Sequence, residues 1–150
     1  MPTDFRDEKT FPRRGREALG GFLWLARVFD KARAKANHTE DGYIYPCPMD
    51  RGVMGQWGIT PREFTDALKT HQADDSILAW VRERVPEGRM QAANDWVRKH
   101  KYNLDHQDWE EGVLSTKPAG LPREAIIGLV TTAILAVTWI VLRAAHVLGK

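Results

Sequence analysis

The sequence predicts an all-α protein: a small helical cytoplasmic domain followed by one C-terminal transmembrane helix. Three observations carry this expectation. Residues 125–142 read AIIGLVTTAILAVTWIVL, with no charged residue, no proline and no amide side chain. At the helical rise such a run spans roughly 27 Å, close to the thickness of a bilayer's hydrocarbon core. It is also apolar all round, whereas a helix on a globular core keeps a polar face. Upstream, apolar residues recur at helical spacing, and no alternating strand pattern exceeds Tyr43-Ile44-Tyr45. Finally, the opening MPTDFRDEKTFPRRGRE holds no apolar run that could act as a signal peptide. The last helix is then the first segment able to enter a membrane. That predicts a single pass through the bacterial inner membrane, with the N-terminal domain in the cytoplasm.

Four segments follow: a polar arm over 1–20, a helical domain over 21–101, a linker over 102–122 and the membrane helix over 123–149. The length of 150 residues suits one such domain plus an anchor. Mean hydropathy is −0.45 because the polar domain outweighs the apolar tail. The net charge of +2 conceals an asymmetry. Residues 1–36 hold nine Lys/Arg against five Asp/Glu, and residues 37–121 hold ten against fourteen. The only cysteine is Cys47, so an intrachain disulfide is impossible.

In the arm, Pro2 and Pro12 break the chain, and Phe5 and Phe11 are isolated apolar residues that pin it to a partner or to the domain. The first helix is expected over 22–36, with Leu25, Val28, Phe29 and Ala32 on its apolar face. Arg27, Lys31 and Lys35 repeat every four residues on another face. This is a contact for anionic lipid or an acidic partner, or a solvated surface. A turn over 37–42 leads into YIYPCPMD, held extended by Pro46 and Pro48, after which Asp50 caps a short helix carrying Val53 and Met54.

Thr60-Pro61-Arg62-Glu63 is a capping box with proline at the first helical position. It starts a helix to about residue 70 that buries Phe64, Ala67 and Leu68. Asp74 or Asp75 caps the next, with Ile77, Leu78, Val81 and Val85 as its stripe. A further helix over 89–101 buries Met90, Ala93, Val97 and either Asn94 or Trp96. Residues 102–121 show no periodicity; Trp109 there sits at the membrane interface or packs on the domain. In the membrane helix, Ala125, Gly128, Thr132 and Ala136 form a small-residue face that lets another helix approach closely. Arg143 follows at the headgroup level.

The stretches LGGFLWLARVFDKARAK, YIYPCPMD, GITPREF and DDSILAWVRE, with NDW at 94–96, lie in an order and spacing that resembles a bacterial family known only as a domain of unknown function. The resemblance covers residues 11–101. It implies a small, mostly helical cytoplasmic domain with no established activity or catalytic residues, to which the linker and membrane helix are an addition. By association rather than deduction, the whole looks like an extra subunit of a bacterial photosynthetic reaction centre–antenna complex.

No chemistry is written plainly into the residues. His38, His71, His100, His106 and His146 show no metal-ligand spacing, and no glycine loop suited to phosphate occurs. No catalytic residue, cofactor or metal is therefore assigned. Basic residues are interleaved with acidic ones and no nucleic-acid motif occurs, so nucleic acid is not an expected partner. The alternative pocket is Tyr43, Tyr45, Cys47 and Asp50, although Cys47 has no histidine near it in sequence. The expected function is thus a non-catalytic accessory subunit docked on integral membrane subunits of a larger complex. The alternatives are a membrane-tethered enzyme or ligand-binding domain at the Tyr43/Cys47/Asp50 pocket, and a tether for a soluble partner through the basic face of the first helix.

Overall fold

A computed structural model describes residues 3–119, and the described residues form six helices: α1 Leu25–Asn37, α2 Pro48–Trp57, α3 Pro61–Ala67, α4 Asp74–Arg82, α5 Glu87–Lys99 and α6 Lys101–Glu110. No strand occurs among the described residues, only an isolated bridge between Leu19 and Phe22. No helix among them is long and apolar enough to cross a membrane. The expected membrane helix lies outside the described residues, and so do Ala125, Gly128, Thr132, Ala136, Arg143 and His146. The described residues up to Thr116 form one structural unit.

The core is built around α1. Its expected face of Leu25, Val28, Phe29 and Ala32 is fully buried, beside Trp24, Val53, Met54, Trp57 and Phe64. The other face is buried as well, which the sequence reading did not anticipate: Arg27, Asp30 and Lys31 are all enclosed.

Helix α3 starts as its sequence predicts. The Glu63 N–H donates to Thr60 Oγ1 at 3.2 Å, and the Thr60 N–H donates to Glu63 Oε2 at 2.8 Å. Helix α4 does not start on an aspartate cap. Ala73 precedes its first turn, the Ser76 hydroxyl bonds the Ala73 backbone, and Asp74 instead receives Arg13. In α5 the buried residue is Asn94 rather than Trp96, because its amide has both partners inside. It donates to Gly21 O at 2.8 Å and accepts from the Leu23 N–H at 2.9 Å.

One segment differs from its expected character, and the N-terminal arm takes one of its two expected placements. Helix α6 occupies the first half of the expected 102–122 linker. It buries only Leu104 and Asp108, so it leaves no apolar period to detect. Ion pairs hold it instead: Arg14 and Arg16 both reach Asp108, at 2.6 and 2.5 Å, and Arg16 also reaches Asp105. The expected N-terminal arm packs on the domain itself. Phe5 is buried and its N–H donates to Thr39 O at 2.9 Å. Gly15 lies against the Trp24 ring, where a Cβ would meet ring carbons at 2.3 Å. Arg13 bridges Asp30 and Asp74. Burial pulls its pKa down, but the two carboxylates outweigh that and raise it.

Candidate functional site

The chemistry-bearing residues gather where α1 meets the N-terminus of α2 and the end of α6. Lys31 and Arg27 stand one turn apart on α1, each with less than a twentieth of its surface exposed. A cation buried this deeply needs a counter-charge. Lys31 Nζ finds it in Asp50, at 2.7 Å. The Asp50 carboxylate is fully buried and also accepts from Trp24 Nε1 at 2.9 Å and from the Cys47 N–H at 2.9 Å. It is the third residue of α2 rather than its cap, a place where a carboxylate both satisfies a free backbone donor and meets the positive end of the helix. Trp24, which aims its indole at Asp50, holds a left-handed φ of 70° at the start of α1. Its N–H is tied to Gly15 O at 2.9 Å.

Arg27 finds Glu111, just beyond α6. Nη2 meets Oε1 at 2.5 Å and Nη1 meets Oε2 at 3.2 Å, in the two-pronged geometry that favours arginine over lysine. Its guanidinium also lies 5.7 Å from the centroids of both the Trp24 and Tyr43 rings. The Tyr43 hydroxyl donates to Glu111 Oε1 at 3.1 Å. Burial, and then the Glu111 charge, hold the Tyr43 phenol well above its ordinary pKa.

Lys31 reaches two more groups: Nζ is 3.3 Å from Cys47 Sγ and 3.5 Å from the Ile44 carbonyl oxygen. Over these residues opens a cleft of about 340 Å³ lined by Arg27, Lys31, Tyr43, Ile44, Cys47 and Glu111, with Gln107 and Glu110 on its α6 side. A neighbouring cleft of about 340 Å³ shares Cys47 and Gln107 and runs past Met49, Tyr102 and His106.

Of the four residues of the alternative pocket, the structure brings together three. Tyr43 and Cys47 line the cleft, and Asp50 sits beneath it. Tyr45 turns away to α3, where its hydroxyl meets Pro61 O and Thr65 Oγ1 and burial raises its phenol to about 12. The expected lipid- or partner-facing set of Arg27, Lys31 and Lys35 does not hold as a surface. Arg27 and Lys31 are internal, and only Lys35 is exposed, paired with Glu40 at 2.6 Å. The periodicity identified one face correctly but could not show that the 43–47 segment and Glu111 cover it. Trp109 is half-buried, its ring 5.5 Å from that of His106. Sequence reasoning missed Glu111 and Gln107 outright; the acidic excess after residue 37 was the only trace of the former. Among the described residues, no group of three His, Cys, Asp or Glu side chains could hold a metal ion.

The pattern described as Domain of unknown function (DUF5069) matches residues 9–135. The chain belongs to the DUF5069 family. The match is wider than the 11–101 resemblance. It takes in the arm from residue 9, all of α6, and the first part of the apolar run, to residue 135. Residues 102–135 are therefore within the DUF5069 pattern rather than an addition to it. No curated protein matches the chain.

Proposed function

We propose that this DUF5069 protein is a non-catalytic accessory subunit, docked from the cytoplasmic side onto integral subunits of a complex in the bacterial inner membrane. Residues 125–142 serve as its membrane helix, and Ala125, Gly128, Thr132 and Ala136 as the face that packs on a neighbouring helix. A photosynthetic reaction centre–light-harvesting complex is the specific assembly proposed. The observation in the domain that supports docking is two exposed large apolar side chains: Ile44 on the first cleft is 71% exposed, and Tyr102 on the neighbouring cleft is 48% exposed. Exposed apolar and aromatic side chains anchor a protein partner where they join into one patch that the partner buries. The charged groups around them, Arg27 with Glu111 and Lys31 with Asp50, are spent on holding the scaffold.

The test is extraction of the full chain in mild detergent, followed by size and mass analysis of what accompanies it. A stoichiometric membrane complex is expected, carrying pigment absorbance if the assembly is photosynthetic. Ile44→Asp and Tyr102→Asp should release the domain's partner with helical content unchanged. A clean monomer in detergent refutes the reading. A second reading, a membrane-tethered enzyme or small-ligand domain, is favoured by the cleft that Tyr43 and Cys47 line. It predicts a measurable activity or bound metabolite lost in Cys47→Ala while folding stays intact.

A further inference from the structure

We propose that Lys31 and Cys47 are an oxidative modification site, at which peroxide joins the lysine nitrogen to the cysteine sulfur as a sulfenamide. The inference is independent of the docking proposal. It rests on two separate observations. The Cys47 thiol is half-buried and lines both clefts, so a small oxidant reaches it from solvent. Lys31, 3% exposed, is held from behind by Asp50 at 2.7 Å and places Nζ 3.3 Å from that sulfur. The amine is thus a fixed internal neighbour, and little freedom remains to be lost when a bond forms. Cys47 is the only cysteine in the chain, so no intrachain disulfide can trap its oxidised form. Lys31 is the nitrogen in position to do so.

The chemistry balances with hydrogen peroxide as the named oxidant. The thiol attacks the peroxide, the O–O bond breaks, and Cys47 becomes a sulfenic acid as one water leaves; sulfur loses two electrons and peroxide gains them. The Lys31 ammonium passes a proton to the Asp50 carboxylate beside it. The freed nitrogen lone pair attacks sulfur and the S–O bond breaks. The departing hydroxide takes the second nitrogen proton and leaves as water. Thiol, amine and one peroxide give one S–N bond and two waters, and the buried ion pair is replaced by a neutral carboxylic acid beside a neutral bridge. The bridge ties α1 to the N-terminus of α2 and closes residues 31–47 into a loop that carries Tyr43 and Ile44.

The full chain in mild detergent is treated with equimolar hydrogen peroxide, digested without reductant and read by mass spectrometry. A peptide pair joined through Lys31 and Cys47, two hydrogen atoms lighter than the sum of its parts and separated by dithiothreitol, is the expected result. Lys31→Arg, which keeps the charge toward Asp50, should abolish the joined pair while Cys47 still takes up oxygen. Four outcomes in the native chain overturn the proposal. These are sulfinic acid at Cys47 with Lys31 unmodified, a Cys47 disulfide between two copies, a joined product that retains an oxygen atom, and a Cys47 that stays reduced.

Discussion

Gly52 and Gly55 lie on the same helix and should respond oppositely to the same substitution. Replacing a helical glycine by alanine gains about 1 kcal/mol through lost backbone freedom in the unfolded chain. At Gly55, where an added Cβ meets nothing within 4 Å, Gly55→Ala should show that gain undiminished. At Gly52 the Cβ would stand 2.3 Å from Trp96 Cη2 and 2.5 Å from Cζ2, where α2 packs on α5. The indole cannot simply slide away, because its ring lies 4.0 Å from that of His100, whose Nδ1 is itself 2.8 Å from Trp96 O. Overpacking of this kind costs about 1–3 kcal/mol. The propensity gain is common to both variants, so their stabilities should differ by that overpacking cost of about 1–3 kcal/mol. Urea unfolding followed by far-UV circular dichroism gives the difference as a shift in midpoint at constant slope. Equal stabilisation by both alanines would refute the close approach of α5 to α2. Truncating the ring with Trp96→Leu should bring Gly52→Ala back toward its sibling.

Asp50→Asn leaves the Lys31 ammonium buried without a counter-charge and should destabilise by about 3–5 kcal/mol; replacing both partners, as Lys31→Met with Asp50→Leu, should cost less, and thermal unfolding of the three variants checks the order. Thr60→Ala removes one half of the α3 capping box and should cost about 1 kcal/mol in the same assay. Asp108 has its pKa lowered, first by the hydrogen bond from Arg14 and then, against burial, by Arg16. Its contribution is therefore complete above the unfolded aspartate value of about 3.9 and is lost as pH falls through the lower folded value. A stability–pH curve should accordingly show a shallower acid limb in Asp108→Asn than in the native chain.

What could be read in advance follows from the range of each signal. The Thr60–Glu63 box is four residues long, entirely local, and forms as its sequence dictates. The apolar stripe of α1 is likewise local, and each of its four residues is buried. Helix α6 was illegible because its attachment lies in Arg14 and Arg16, some ninety residues earlier, and not in its own apolar spacing. The candidate site divides the same way. Tyr43, Cys47 and Asp50 were visible because they are near neighbours in the chain. Lys31 and Glu111 were not visible as members, since helical spacing says which residues share a face but nothing about what will cover it.

The charge asymmetry of the sequence has its physical explanation in these same pairs. Residues 1–36 are basic and residues 37–121 acidic, a segregation that suggested a surface for anionic lipid. In the fold the two halves neutralise each other from within. Arg13 meets Asp74, Arg14 and Arg16 meet Asp108, Arg27 meets Glu111, and Lys31 meets Asp50. All but the Lys31–Asp50 pair, which ties α1 to the next helix, join residues 1–36 to an element more than sixty positions away, so they act as long-range register marks. Such pairs add little net stability over a hydrophobic contact, yet breaking one of the buried pairs strands a charge. The arm and α6 are therefore held less by the depth of their burial than by the cost of separating them. For α6 that cost is greatest at Arg27, whose partner Glu111 follows the helix, and Lys31 carries a like cost between α1 and α2; both cations also floor the cleft. A partner docking on Ile44 would accordingly meet a wall fixed from beneath, and a modification that removed the Lys31 charge would act on the same foundation.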